Sequence, residues 1–552
     1  MEFVQGAIEA RAVGLRTRAG EVAVRDISLT VGHGELVAIT GTGLGKTTLL
    51  EAMSGLRPPT SGAVVRNAGP ATGPPPARPA GYVPADDMMH PVLPLARALR
   101  YAAALRSVRG PQTVDAALTE ARLPASSAAV SMSALDPGER KRAAVAGELL
   151  SRPAQLFLDE PTADLDPPQA AEVLRMLRRL ADSGMTVVLS TGSPLDAARC
   201  DKVALLAAGG DLAFFGTPQA ACGYVGADSL EEIYERLAGV GDPAAAWSRR
   251  FFHFSRIGAG FAPVAATPPG AGPAFLVPDS AGPHSAGRVT VPAERPGAAR
   301  PADGATSGLT ATASNRGEAA RSGSLILSAR QLPVLIRRNA EIAARSVFAR
   351  TVLVAAPAAV LLAFAVLIGA GAYNGTGACL AWPVLGGFCI GLAYGLPQVR
   401  GELGVLRAER FGGLSATAYV LAKLAVQLPV LAVAGAAALA VPAAFGRLPH
   451  GYSPGYLTLL LSSAVALALA LLLSATALLP ATAPEASRRV PAAGSWLPAF
   501  LLAGAVLTLL DRPGWPDWLV LAALGLALTT AAIVLIRRRA PAVPGDRHSA
   551  RF

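Results

Sequence analysis

Between residues 351 and 536 the chain carries six apolar stretches, at about 351–370, 378–397, 418–445, 455–480, 495–510 and 518–536. Such stretches leave few structural options. A bilayer core offers no water to backbone amides, so a spanning segment must close its hydrogen bonds internally, as a helix or within a closed barrel. About 20 helical residues cross the hydrocarbon. Most of the six meet that length; the fifth is short and suits a re-entrant or tilted, broken span. An all-α domain of six spans is therefore expected over residues 323–552. Of the 552 residues, 52% are apolar and 16% charged, which favours a membrane protein over an ordinary soluble enzyme.

The net charge of +11 could suggest nucleic acid, but its distribution argues otherwise. Arg337, Arg338, Arg345 and Arg350 precede the first stretch. Arg400, Arg407 and Arg410 lie between the second and third, Arg488 and Arg489 between the fourth and fifth, and Arg537, Arg538 and Arg539 after the sixth. The alternate loops, "AYNGTGA" and "DRPGWPDW", carry little positive charge. All the basic clusters then fall on one side, so both termini are expected in the cytoplasm of a multi-pass protein of the cell membrane. With 5% aromatics and no basic-aromatic interleaving, nucleic-acid binding is not expected. The segment "LILSARQLPVLIRRNAEIAARSVFAR", with Arg330, Arg337, Arg338 and Arg345 among Leu and Ile, reads as an amphipathic helix lying at the interface. Cys200, Cys222, Cys379 and Cys389 form no C-x-x-C pair and read as ordinary thiols. The first twenty residues carry no leader-like apolar run, in keeping with a cytoplasmic front.

Residues 1–245 have a different grammar. "ELVAIT" reads as a buried strand and "KTTLLEAMSG" as the helix after it; "QLFLDEP" and "MTVVLST" are further β-rich runs. Strands alternating with helices imply an α/β domain with a mostly parallel sheet. Residues 246–322, rich in Pro, Gly and Ala, read as a flexible linker.

Between the first strand and helix stands "TGTGLGKTT". Its Gly45, Lys46 and Thr47 end as a phosphate-binding loop should, but G-x-x-x-x-G-K-[ST] wants glycine where Thr40 stands. Downstream, "QLFLDEPTADLDP" places Asp159 and Glu160 at a strand end, where an acidic pair can hold Mg²⁺ and polarise a water.

On these residues, with "GYVPADDMMHP", "GERKRAAVAGELLSRPAQLFLDEPTADLD" and "RGELGVLRAERFGGLSATAYVLAKL", the chain resembles an ATP-binding cassette (ABC) transporter of the G-type. Such half-transporters place the cassette, an α/β P-loop NTPase domain, ahead of a six-span ABC-2 type membrane domain. The resemblance implies ATP and Mg²⁺ as cofactors. ATP would bind at Gly41, Thr42, Gly43, Leu44, Gly45, Lys46, Thr47 and Thr48, and Mg²⁺ at Thr47 and Asp159. Glu160 would be the base for the attacking water, and Asp164 and Asp166 would lie in the D-loop. It further implies a homodimer or a heterodimer with another half-transporter, acting on a small-molecule substrate, with export of a lipid-like or amphipathic compound as the expected direction. Glu402, Arg407, Glu409 and Arg410 would touch the cassette as the coupling element.

The departures from the family fall on the ATP chemistry. Its G-x-x-G-x-G-K-[ST] is one residue short here, which withdraws up to ~3.5 Å of chain from a tight turn whose backbone amides hold phosphate. Ala19 stands at the adenine-stacking aromatic, Ala85 at the Q-loop glutamine and Gly192 at the switch histidine. In the signature, Asp136 and Pro137 replace Ser and Gly. Pro137 has no N–H to offer, and a carboxylate about 4 Å from a phosphate costs ~4 kcal/mol at an effective dielectric of 20. The same "LDPGE" is a good helix start, with Asp136 as N-cap, Pro137 first and Glu139 closing a capping box. Two functions follow: an ATP-driven exporter half, or a pseudo-ATPase subunit serving a competent partner.

Overall fold

The strand built from "LVAITG", β3 (Leu36–Gly41), is preceded by β1 (Ile8–Arg16) and β2 (Val22–Val31) and is buried at every position, as a strand covered on both faces must be. The computed structural model describes residues 7–16, 20–42, 45–66, 80–85, 89–106, 112–207, 209–238, 251, 328–369, 378–400, 402–444, 452–476 and 515–539. The remaining strands are β4 (Ser61–Arg66), β5 (Gly81–Val83), β6 (Gln155–Leu158), β7 (Thr186–Ser190), β8 (Lys202–Leu206) and β9 (Leu212–Gly216). β3 sits inside a six-stranded sheet ordered β5–β6–β7–β3–β8–β9, parallel except for β9. A second, antiparallel sheet, β2–β1–β4, packs its apolar face toward the first helix.

The helices of this half are α1 (Lys46–Ser54), α2 (Leu95–Leu105), α3 (Gln112–Glu120), α4 (Pro137–Leu149), α5 (Pro167–Asp182), α6 (Pro194–Ala197), α7 (Pro218–Val225) and α8 (Leu230–Ala238). α5 shows how sequence fixes an element. Asp166 caps it by accepting from Gln169 N at 2.8 Å, prolines open it, and Val173, Leu174, Leu177 and Leu180 make the buried stripe.

In the C-terminal half a helix runs over 328–345 (α9). It is followed by α10 (Val347–Gly369), α11 (Ala378–Gly395), α12 (Pro397–Arg400), α13 (Leu403–Phe411), α14 (Ala416–Ala444), α15 (Tyr452–Thr476) and α16 (Trp515–Arg539). Among the described residues, Ala416–Ala440, Tyr456–Ala475 and Pro516–Arg538 are long and apolar enough to cross a bilayer. α10 and α11 lie at the first two expected stretches. The fifth stretch, 495–510, and nearly all of the 246–322 segment lie outside the described residues. Gly387, Gly391 and Gly395 share one face of α11. A Cβ at Gly391 would stand 2.3 Å from Ser463 O of α15, so these helices meet backbone to backbone.

α9 differs from its expectation. It does not lie freely at a membrane surface: Gln331, Leu335, Arg338 and Asn339 are buried between the cassette and the membrane helices. Its apolar stripe packs against protein, and only Arg330, Arg337 and Arg345 remain on the polar side.

Candidate functional site

The phosphate loop begins where β3 ends. Gly41 has φ +113°, and a Cβ there would stand 2.2 Å from Leu206 O of β8. Gly45, at the N-terminus of α1, is as tightly placed, with a notional Cβ 2.3 Å from Ala23 O of β2. Both ends of the shortened loop therefore abut backbone at positions only glycine fits. Lys46 Nζ donates to Gly41 O at 3.1 Å, across the loop. The first bond of α1 runs from Leu49 N to Gly45 O at 2.8 Å, so the Lys46, Thr47 and Thr48 amides precede it, in the part of a helix that attracts anions. Thr42 is exposed; Gly43 and Leu44 lie outside the described residues, as does Ala19.

The expected cation ligands converge. Thr47 Oγ1 donates to Asp159 Oδ1 at 2.9 Å, and Ser190 Oγ donates to the same oxygen at 2.5 Å. Two hard oxygen ligands on adjoining elements are of the kind that Mg²⁺ takes. Ser190 Oγ also accepts from Glu160 N at 3.0 Å, so one serine fixes both acidic residues. Ser190 ends β7 in "VVLST"; sequence reading passed over it. Glu160 is held at φ +44° and Asp164 at φ +62°, left-handed conformations that turn the chain sharply after β6.

The altered positions keep local structure. Asp136 Oδ1 accepts from Glu139 N at 2.7 Å and Glu139 Oε2 accepts from Asp136 N at 3.3 Å, so the expected capping box is present. Glu139 Oε1 also accepts from Ser127 Oγ at 2.9 Å. Ala85 is exposed, and its carbonyl accepts from Lys141 Nζ of α4. Gly192 is exposed, with no atom within 4 Å of a notional Cβ.

A second polar centre joins the two halves. α13 docks by Val405, Leu406 and Ala408, and Gly412 after it lies against Arg106 of the cassette. Arg106 pairs with Glu148 and donates to Gly147 O, both on the signature helix α4. Gln331 of α9 donates to Leu105 O at 3.2 Å and Gly413 O at 3.3 Å and accepts from Ser415 N at 2.8 Å. Tyr101 OH donates to Glu341 Oε2 at 2.6 Å.

Of the expected coupling residues, Glu402 and Glu409 lie in this centre. Glu402 accepts from Lys423 Nζ at 2.7 Å and Tyr419 OH at 2.9 Å, and lies 3.8 Å from His90 Nδ1. Burial alone would raise its carboxyl; the Lys423 ammonium, close by and hydrogen-bonded to it, outweighs that and holds it at about 2. Burial holds His90 down at about 4, so it is neutral near pH 7 and its approach to Glu402 is no ion pair. Glu409 pairs with Arg338 of α9. Arg407 is exposed, and Arg410 donates to Leu414 O within its own turn. His90, Arg106, Gln331, Arg338 and Lys423 were not singled out as partners from sequence, because each is paired across more than 20 positions.

Residues 24–163 match the family described as ABC transporter, and residues 330–525 match ABC-2 type transporter. The chain is similar to the ABC transporter ATP-binding/permease protein Rv1747 of Mycobacterium tuberculosis, 36% identical over 258 residues, which is 45% of this chain and 30% of that protein. It is also similar to the broad substrate specificity ATP-binding cassette transporter ABCG2 of Bos taurus, 35% identical over 213 residues, covering 35% of this chain and 31% of that protein. The matched stretches thus span about three tenths of these relatives' lengths. Among solved structures, cbiO1 from Clostridium perfringens, part of the ABC transporter complex cbiONQ, aligns with a TM-score of 0.36 and 24% identity over 40% of this chain and 91% of that one.

Proposed function

We propose that this chain, which belongs to the ABC transporters with the cassette ahead of an ABC-2 type membrane domain, the G-type half-transporter order, works as half of a dimeric exporter of an amphipathic small molecule. The observation that carries the reading is the Thr47–Asp159–Ser190 cluster beside Lys46, joined through α4, Arg106 and Gln331 to the membrane helices. In this reading the cassette binds ATP at residues 41–48 and Mg²⁺ at Thr47 and Asp159, the termini face the cytoplasm, and the partner is a second half-transporter.

Bound Mg²⁺ would supply positive charge to the phosphates. Lys46 adds a further charge, and the α1 amides add dipoles. Ser190 orients Asp159 and anchors the Glu160 amide, which aims Glu160 as base for a water. The 41–47 loop, one residue short, holds phosphate with fewer or re-aimed amides, so affinity and turnover at this chain's own loop are low.

A second reading, a regulatory half beside a competent partner, is favoured by Asp136, Pro137 and Gly192. Opposed to a partner's ATP, Asp136 brings a carboxylate and Pro137 brings no amide. ATP turnover of the purified full chain in lipid tests both. Turnover in the range of ~1–10³ s⁻¹, abolished by Glu160→Gln, would refute the regulatory reading. Activity only with a partner, abolished by mutating the partner's phosphate-loop lysine and indifferent to Lys46→Ala, would support it.

A further inference from the structure

Beside the coupling centre, and sharing its His90, Glu402 and Lys423, lies a cavity of about 340 Å³ that the nucleotide chemistry does not use. It is walled by His90 to Val92 of the cassette, by α9 and by the cassette-side ends of α11 and α14. Its lining is graded. On α14, Lys423, Val426, Gln427 and Val430 fall at i, i+3, i+4 and i+7, one helix face. That face carries charge at Lys423 and an amide one turn on at Gln427, and is apolar at Val426 and Val430. The wall also runs from Gln398 of α12, polar, back to Ala393 of α11, apolar, and α9 adds Asn339 and Ile342, three positions apart.

The base of the cavity holds unmet hydrogen-bonding capacity. Asn339 is 5% exposed, and neither its Nδ2 nor its Oδ1 has a partner among the described residues; His90 is 5% exposed, and its Nε2 has none among them. Burying such groups without partners costs ~1–3 kcal/mol each, a cost that an occupant with hydrogen-bonding groups could offset. The charge inventory narrows what it is. Glu402, the carboxylate in the wall, is matched by Lys423 and Tyr419. Arg350 is exposed at the rim, and no carboxylate pairs with it among the described residues. The cavity is therefore net positive at its head end and apolar at its tail end, and it falls within the usual size of a small-molecule site.

We propose that this cavity binds an anionic phospholipid. Its phosphate would lie by Arg350, its headgroup would hydrogen-bond Asn339 and His90, and an acyl chain would run along Val426 and Val430. The occupant would touch the cassette at His90 and the membrane half at α9 and α14, and so would tighten their contact. The proposal rests on the chain lying in a bilayer at this level. Phosphate recognition by Arg is shared by lipid headgroups and free phosphate, and the test separates them.

The test uses the full chain in phosphatidylcholine nanodiscs. They are doped with phosphatidylglycerol carrying a photoreactive group in its acyl chain, and labelled peptides are mapped by mass spectrometry. Label is expected at 339–346 or 423–430, about tenfold above that from the matching photoreactive phosphatidylcholine, as one charge–phosphate pairing in a partly desolvated site provides. Arg350→Gln, an exposed change that spares the fold, should remove most of the difference. Val430→Trp should block the tail path and lower labelling by both lipids. Equal labelling by the two lipids, label insensitive to both substitutions, or no label in these peptides would overturn the proposal. Loss of label on adding excess inorganic phosphate would overturn the lipid source in favour of a free anion. Failure of the chain to enter nanodiscs at all would instead overturn the membrane reading beneath it.

Discussion

Gln331 is the residue whose loss should most cleanly separate cassette from membrane half. It is 3% exposed and makes three backbone contacts with two segments far apart in sequence: Leu105 O at 3.2 Å, Gly413 O at 3.3 Å and Ser415 N at 2.8 Å. Gln331→Ala removes all three and leaves a buried amide and two carbonyls to find water. A net hydrogen bond is worth about 1 kcal/mol, so the contact should weaken by about 3 kcal/mol, roughly 100-fold in the equilibrium for local opening. Hydrogen–deuterium exchange of the full chain in nanodiscs reads this directly. Peptides covering 99–106 and 412–418 should exchange faster by about that factor, while a peptide over β6, deep in the cassette, should not change. Gln331→Glu keeps an acceptor for Ser415 N but loses both donors, so it should fall between wild type and Gln331→Ala. Unchanged exchange at 412–418 in Gln331→Ala would refute the idea that this side chain holds the halves together.

His90, held at about 4 by burial against an ordinary 6.5, binds its proton more readily unfolded than folded. Its contribution is therefore intact above pH 6.5 and lost as pH falls toward 4, by about 3 kcal/mol in all; a thermal-unfolding pH series should lose that slope in His90→Leu. Gly192→His should fold normally, since a Cβ there meets nothing within 4 Å, and should raise ATP turnover in lipid only together with Asp136→Ser and Pro137→Gly; a gain from Gly192→His alone would place the defect in the switch. Gly391→Leu should prevent α11 from packing on α15, since even a Cβ there would stand 2.3 Å from Ser463 O, and monodisperse protein of wild-type melting temperature would refute that.

The sequence carried the local features well. The α/β order, the capping box at Asp136 and Glu139, and the pairing of "GKTT" with "LFLDE" were all legible, because each rests on near neighbours or on a strand end that sets direction. What was illegible is long-range. Nothing in "GYVPADDMMHP" announces that His90 will sit 3.8 Å from Glu402, nor does "LILSARQLPVLIRRN" announce that Arg338 will be 1% exposed. An Arg among leucines has the same periodicity whether its face meets lipid headgroups or a buried carboxylate. The partner Glu409 lies 71 positions away, and only the fold brings the pair together. The glycines of α11 were legible as composition but not as a packing stripe, since their role depends on α15 lying opposite.

The two polar centres respond differently to substitution, and burial explains why. Ala85, Asp136, Pro137 and Gly192, where the ATP chemistry departs from the family, are all exposed in the single chain. Each is compatible with a sound fold: Ala85 offers its carbonyl to Lys141, Asp136 caps α4, and Gly192 stands in open space. Changing them costs the folded monomer almost nothing, so folding exerts no restraint on their side chains. The coupling centre is the opposite case. Arg338, Lys423, His90 and Gln331 are each no more than 5% exposed, and removing one partner of a buried charged pair costs ~3–5 kcal/mol. Folding alone is enough to preserve that centre, whether or not ATP is hydrolysed. An intact coupling interface therefore says nothing about catalytic competence. In the proposed dimer that question turns on the exposed residues, which would acquire an energetic role only when a second cassette closes over them.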